Sequence, residues 1–454
     1  MDILLKIFWF LVTLAILIPI HEYGHYRVAK ACGVKVLRFS IGFGRVLLRR
    51  EIGPDRTEFA LSMLPLGGYV KMLDEREGNV PASEAHRAFN RRPLYQRALV
   101  VAAGPAANIA LAIVLYGFVH WHGQEMPQPV VGKPAAGSVM ADAGLRSGDR
   151  IVAIAQGADV PEDDFLTVRS SEDVMRAVNG AMLEREPLQL RVARDNGITR
   201  TLTAAVDVID PFKAPTPGSK SLGLGLLPKI GKILPDGAAA NSGLRVGDLV
   251  LRVNGQPIDD TAALRLAIQA SGAGGTPRTM AWDVDRSGQP VTLSVTARMD
   301  PNDGMPVARA GIGFLTEQVS AAPLEAIRLG ATQSWHEATA SLRMFGLMLT
   351  GRASSKGIGG PGTIAEVANA SAHQGFLPFL NFLAMVSLGL GVLNLLPIPM
   401  LDGGMLLYYL FEGATGRPVS ELWQIWLQRG GALILLLLMT LALSNDVVRH
   451  LGPQ

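Results

Sequence analysis

Apolar residues gather in four stretches of the chain. Ile3 to Ile20 is broken only by Lys6, Ala98 to Val119 and Phe376 to Leu401 carry no charge, and Gly430 to Asn445 is leucine-rich and follows Trp426. Because about 20 apolar residues in a helix cross a hydrocarbon core about 30 Å thick, the pattern predicts four membrane-spanning helices. The alternative for the first stretch is a cleaved signal peptide. No A-x-A site follows it, and the apolar run leads straight into a charged motif, so a retained helix is expected. Beyond it the period changes to two. Val34 to Ile41, Thr57 to Met63 and Tyr69 to Met72 alternate and are separated by Gly42, Gly44, Pro54, Gly67 and Gly68, which reads as hairpins.

The middle of the chain repeats itself. Ala143-Gly-Leu-Arg-Ser-Gly-Asp-Arg-Ile-Val152 matches Ser242-Gly-Leu-Arg-Val-Gly-Asp-Leu-Val-Leu251, and each is followed by an alternating strand that ends near a glycine, Gly157 or Gly255. Two copies of one turn into a β-branched run predict tandem modules, bounded at 122–210 and 219–315. The corner A-G-L-x-x-G-D-x-I resembles that of bacterial PDZ domains. Pro211 to Gly218 is the expected joint. Over 320–352 the apolar positions Leu324, Ile327, Ala331, Trp335, Ala338, Leu342, Phe345 and Leu349 recur every three or four residues, an amphipathic helix that can pack on the modules or lie in the interface. Gly357 to Gly362 reads as a loop before the third span.

Composition supports lipid contact and narrows the chemistry. Of 454 residues 48% are hydrophobic and 18% charged, below the quarter charged that is usual in soluble domains. The net charge of +3 advertises no nucleic-acid partner. Locally the charge is informative: Tyr26 to Arg97 holds 14 Lys and Arg against 7 Asp and Glu, which marks the cytoplasmic side. Four crossings then place both termini and the repeat outside. A single cysteine, Cys32, excludes an internal disulfide and a cysteine zinc cage, so a metal would need His and carboxylate.

His21-Glu-Tyr-Gly-His25 is an H-E-x-x-H motif at the inner end of the first span. Residues four apart share a helix face, so both imidazoles can reach one Zn²⁺ while Glu22 faces a bound water. A polar helix end facing water is the competing reading. Ionisable groups inside a span are costly, however, and usually functional. A zinc hydrolase needs a third protein ligand. None of His86, His120, His122, His336, His373 and His450 sits in an apolar span near its inner end, whereas Asp402 follows Asn394-Leu-Leu-Pro397-Ile-Pro399-Met-Leu and precedes Gly403-Gly404. The prolines interrupt the third span, and freed backbone at membrane depth is tolerated only where it is buried in protein or lines a wet cavity. The two distant segments are therefore expected to meet beside the metal. Capping of the next helix is the alternative role for Asp402. Gly104-Pro105-Ala-Ala-Asn108 in the second span reads as close packing, with Asn108 available for an interhelical hydrogen bond.

His21-Glu22-Tyr-Gly-His25 together with Asn394-x-x-Pro-x-Pro-x-Leu401-Asp402-Gly403 resembles the site-2 protease family of intramembrane metalloproteases. The resemblance covers nearly the whole chain. It is nearest to the bacterial sigma-E-regulating members, through the four spans, the two modules between spans two and three, and Pro65-Leu-Gly-Gly-Tyr-Val-Lys-Met-Leu-Asp-Glu-Arg76. It implies a polytopic α-helical protein of the bacterial inner membrane. The first transmembrane helix lies in 1–30, a cytoplasmic-side membrane-associated β-hairpin region in 31–93, and the second helix in 94–121. Two periplasmic PDZ-like α/β modules follow, then a third transmembrane segment in 374–410, a cytoplasmic loop in 411–428 and a fourth helix in 429–448, with both termini periplasmic and the active site toward the cytoplasm.

The same resemblance implies a zinc endopeptidase with one Zn²⁺ per chain, held by His21, His25 and Asp402, and Glu22 as the group that takes a proton from water and returns it to the leaving amine. Implied substrates are single-span membrane proteins, an anti-sigma factor and remnant signal peptides, trimmed first by another protease, with the PDZ-like modules as a size filter that can also bind peptides. A helical substrate must be opened before attack. Gly67, Gly68, Tyr69 and Val70 would receive it as an added strand, an ordinary solvent-side hairpin being the alternative. Asn394, with Pro397 and Pro399, would contact it, capping of the broken helix being the alternative. Two other readings are disfavoured: a tethered soluble-type zinc protease would carry the motif in a polar domain, and a zinc transporter would need polar ligands along several spans. A catalytically inactive scaffold acting through the modules is separated from the protease by the behaviour of Glu22.

Overall fold

A computed structural model describes residues 2–194, 197–209, 219–235, 237–300, 307–350 and 359–451. They divide into two compact units, Met1–Gly123 with Ser320–Pro453, and Gln124–Val319. The first unit opens with α1 (Asp2–Ala31), which runs on past Pro19 and carries the H-E-x-x-H motif about two to three turns before its end. Gly33, at φ 72°, stops it: the left-handed conformation lets the Gly33 and Val34 amides bond back to Lys30 and Ala29.

Two long antiparallel strands follow, β1 (Val36–Ile52) and β2 (Thr57–Met72). Each bends back on itself. Phe39 pairs with both Val70 and Phe59, Ile41 with both Gly68 and Leu61, and Arg49 with Ala60. The ladder therefore has four lanes, in the order 48–52, 57–61, 36–41, 68–72. Gly42 (φ 89°) makes the bend possible, because a β-carbon there would stand 2.8 Å from the Leu64 carbonyl oxygen. Tyr26 of α1 packs between Phe39 and Phe59, with ring centroids 5.7 and 5.5 Å away, and so fixes the sheet on the helix. The far end of the sheet exposes Phe43, Leu47, Leu48, Met63 and Leu64. The hairpins expected over residues 34 to 72 are thus present, and 48–52 adds a lane that its charged Arg49-Arg50-Glu51 concealed. Next comes α2 (Leu94–His122), which lies close on α1 because Gly24 has no side chain: a β-carbon would fall 2.8 Å from that of Ala107.

The second unit begins with β3 (Gln124–Pro127) and the short α3 (Val139–Asp142). Then come β4 (Arg150–Gln156), β5 (Leu166–Thr167), α4 (Ser171–Glu184), β6 (Leu188–Ala193) and β7 (Thr199–Ala204), forming a sheet of order β5-β4-β6-β7. After β8 (Ile230–Ile233), the succession β9 (Leu249–Val253), β10 (Gln256–Pro257), α5 (Thr261–Ser271), β11 (Thr279–Arg286) and β12 (Gln289–Thr296) gives the order β10-β9-β11-β12. The sequence repeat is therefore a structural repeat, strand for strand. Its Gly-Asp corner does the same work twice. Buried Asp149 accepts from the Arg146 amide and Arg194, and buried Asp248 from the Arg245 amide and Arg286. Each carboxylate closes the turn and ties it to the end of a later strand, Arg194 directly following β6 and Arg286 ending β11. Short β13 (Arg298–Asp300), β14 (Val307–Arg309) and β15 (Ile312–Phe314) follow, and β16 (Thr316–Val319) pairs antiparallel with β3, bringing the two ends of the unit together. The expected joint at 211–218 lies outside the described residues. Ser221 to Gly225, assigned by sequence to the start of the second module, hydrogen-bonds instead to Val139 and Gly132 of the first.

The chain then returns to the first unit with α6 (Pro323–Leu349), α7 (Pro361–Gln374), α8 (Phe376–Leu395), α9 (Asp402–Thr415) and α10 (Glu421–Leu451). α6 packs on α2 through facing glycines, Gly330 and Gly117, and Tyr116 donates a hydrogen bond to Glu337 at 2.5 Å. The glycine-rich loop ends earlier than expected, at Gly360. Gly357 lies outside the described residues, and helix α7 already begins at Pro361. The cap is supplied from elsewhere in the chain: the Asp446 carboxylate on α10 accepts from the Gly360 and Gly362 amides and the Thr363 hydroxyl. The third span ends at Leu395, and residues 396–401 form a tight turn, as the prolines there require. Among the described residues four helices are long and apolar enough to cross a membrane, Ile3–Ala31, Leu94–His122, Phe376–Leu395 and Leu422–Val447.

Candidate metal centre

His21 and His25 stand one turn apart on α1 with their Nε2 atoms 3.2 Å from each other. Asp402, the first residue of α9, points its Oδ2 at both, 3.3 Å from His21 Nε2 and 3.6 Å from His25 Nε2. The helix cap is Leu401 and no side chain bonds there, so Asp402 is not a cap. Two glycines make its placement possible. A β-carbon on Gly404 would fall 2.5 Å from the Ile398 carbonyl oxygen, and one on Gly403 would strike the carbonyls of Leu395 and Leu396. The turn between α8 and α9 folds against these bare positions and turns the carboxylate inward.

α2 completes the centre. The Val100 carbonyl lies 2.8 Å from His25 Nδ1, so the proton belongs on that nitrogen and Nε2 keeps its lone pair. Gly104 lies opposite both rings. A β-carbon there would strike His25 Nε2 and come 2.8 Å from His21 Nε2, so the space at the nitrogens is open only because residue 104 has no side chain. Asn108, fully buried, reaches His21 Nδ1 at 3.3 Å. These residues fit a zinc ion. Tetrahedral N and O ligands bound at about 2.0–2.1 Å sit about 3.3 Å from one another, and the observed separations are 3.2, 3.3 and 3.6 Å. Three protein ligands also leave a fourth position open.

The whole-chain comparison agrees with the centre: residues 9–438 match peptidase family M50. The chain belongs to that family, the site-2 proteases. A relative in Ralstonia nicotianae, classed by name among zinc metalloproteases, is 39% identical over 98% of this chain and 99% of its own. The regulator of sigma-E protease RseP of Escherichia coli is 34% identical over 97% of this chain and 98% of its own, and protease RseP of Yersinia pestis is 35% identical over 99% and 100%. The protein is a metalloprotease.

In this M50 peptidase the remaining predicted residues fall into two groups. Gly67, Gly68, Tyr69 and Val70 lie on the outer lane of the β1–β2 ladder, and the last three pair with Ile41, Ser40 and Phe39 on one side. Among the described residues no ladder partner lies on the other side. This lane runs beside Glu22: a β-carbon on Gly68 would stand 2.9 Å from Glu22 Cγ. The Tyr69 hydroxyl accepts from Arg38 at 3.1 Å, and its ring stacks on that of Phe43. Asn394 is in the last turn of α8, and Pro397 and Pro399 are in the turn that leads to Asp402. The Pro399 carbonyl packs on Gly431 of α10, where a β-carbon would strike it. In the sequence Gly104 and Asn108 read as packing residues, and nothing marks Val100. Packing is half of their role, since they also line the His21 and His25 imidazoles. The signal was a glycine and an asparagine four residues apart in a span without charge.

Proposed function

We propose that the protein is an intramembrane zinc endopeptidase of the bacterial inner membrane that cuts transmembrane segments of single-span proteins in control of a sigma-E-type envelope response. The observation that carries this reading is the meeting of His21, His25 and Asp402 beside Glu22 toward the C-terminal end of an apolar helix. His21, His25 and Asp402 would hold one Zn²⁺, which when bound acts as a Lewis acid on the scissile carbonyl and acidifies a water.

The chain's own groups do the rest. Glu22 takes a proton from the attacking water and delivers it to the amine that leaves. Val100 holds His25 in the tautomer that keeps Nε2 free. A helical substrate hides its carbonyls in internal hydrogen bonds, so it must be opened. The unpaired side of Gly68 to Val70 offers main-chain donors and acceptors for the opened segment directly beside Glu22. Asn394, in the last turn of α8, would hold the other side of that segment, and Pro397 and Pro399 keep the turn from closing into a helix.

The basic excess of the β1–β2 region supports a site toward the cytoplasm, and with four spans the PDZ-like modules and both termini would be periplasmic. An apolar groove in the first module, lined by Val131, Val174, Met175 and Leu224, suits a peptide end. The modules thus act as a filter that admits trimmed proteins, an anti-sigma factor and remnant signal peptides being the substrates proposed. The test is Glu22→Gln in the full-length purified protein. Cleavage of a single-span substrate should fall by several orders of magnitude while zinc per chain stays at one. Cleavage at the parental rate would leave the protein a scaffold, and absence of zinc from the parent would remove the metal centre.

A further inference from the structure

The two imidazoles are held in different ways. His25 Nδ1 faces a backbone carbonyl, a fixed acceptor, whereas His21 Nδ1 faces the Asn108 carboxamide, which can present either a donor or an acceptor. Asn108 is fully buried, and its backbone carbonyl accepts from Ser387 of α8 at 2.8 Å. A bare Gly391 brings α8 against its Cβ. The side chain is therefore clamped between α1 and α8, with rotation of the amide group as its main remaining freedom. Its Nδ2 lies 3.3 Å from His21 Nδ1, and its Oδ1 is buried without a partner.

A donor on Nδ2 suits an imidazole whose Nδ1 is a lone pair, and hence whose proton is on Nε2, 3.3 Å from the Asp402 carboxylate. Ligation of a metal through Nε2 demands the opposite tautomer, with the proton on Nδ1. A half-turn of the amide then places Oδ1 opposite that proton. In either orientation one amide atom lacks a partner, so the His21 tautomer decides which. We propose that Asn108 is the positioning residue of His21: its amide oxygen accepts from Nδ1–H when Nε2 is a metal ligand, and the amide turns over when that proton moves to Nε2. This rests on the reading of His21, His25 and Asp402 as a metal centre.

The experiment compares full-length parent, Asn108→Asp and Asn108→Leu in zinc affinity, by competition with a chromogenic chelator. Asp keeps an acceptor oxygen and should bind within about threefold of the parent. Leu has the same branched outline, with bulkier methyl ends and no acceptor, and should bind about 10–100-fold more weakly, the usual cost of losing an outer-shell partner. A Leu variant that binds zinc like the parent overturns the proposal, because packing alone would then suffice. A parent that binds no zinc overturns the metal-centre reading instead. Should the Leu variant fail to fold, Asn108→Ala, which also removes the acceptor but adds no bulk, takes its place with the same expected loss of zinc affinity, and parental affinity in it refutes the assignment.

Discussion

Gly68 and Glu22 touch: the Cγ of Glu22 stands 2.9 Å from where a β-carbon on Gly68 would be. Such a contact is possible only for a bare backbone, and it puts the free edge of β2 against the residue proposed to move the proton. Gly68→Ala should push the strand away from Glu22. Misplacement of a substrate by about 1 Å costs on the order of 100-fold in rate, so cleavage of a transmembrane peptide should fall by about 10–100-fold. Zinc per chain should not change, since Gly68 is no ligand. A parental rate in the alanine variant would show that the substrate does not use this edge.

Gly104 makes a different prediction from the same kind of contact. Its missing side chain leaves room at the His21 and His25 nitrogens, so Gly104→Ala should lose zinc and activity together while helix content by circular dichroism is retained. Gly389, in the third span, has nothing within 4 Å of its would-be β-carbon, and Gly389→Ala should keep both. If the two alanine variants held zinc equally, the space at Gly104 would not be the metal's.

Asp402 offers the only carboxylate oxygen grouped with the two imidazoles among the described residues. Asp402→Ala should therefore lower zinc affinity by more than the about 10–100-fold that an outer partner contributes, with activity falling in parallel. Zinc content equal to the parent's, measured after dialysis, would move the third ligand to another residue.

These sites differ in how far the sequence announces them. H-E-x-x-H is legible because its chemistry needs two residues at one helical spacing. Asp402 is legible because a carboxylate after two prolines in an apolar run has little else to do. Gly104 and Asn108 act across a helix–helix contact, and no local period says which residue of another helix will face His21. The four-lane ladder is hidden for a similar reason: alternation marks the short runs, but the double pairing of Phe39 and Ile41 depends on bends at Gly42 and Gly44 that set lanes rather than strands. The cap on α7 comes from Asp446, more than eighty residues further along the chain, and no capping signature near Pro361 predicts it. The repeat, in contrast, was plain, because each copy must solve the same turn with the same Gly-Asp pair.

That pair carries a pH dependence. Asp248 is buried under Arg286, whose guanidinium bonds to both carboxylate oxygens at 2.8 Å and holds the carboxyl below the usual carboxylate range, with the Arg245 amide helping. A group with a depressed folded pKa binds its proton less readily folded than unfolded, so its contribution is complete above the unfolded value of about 3.9. It is lost as pH falls through the lower folded value. Asp248→Asn removes the charge but keeps an acceptor, and at pH 7 it should weaken the second module by about 1–2 kcal/mol. Hydrogen exchange of β9 and β11 in the full-length protein reads this directly as faster opening. Between pH 7 and 5 the difference between parent and variant should stay constant, and below about pH 4 it should shrink. A difference that grew on acidification would place the origin of the pair's stability somewhere other than the Asp248 charge.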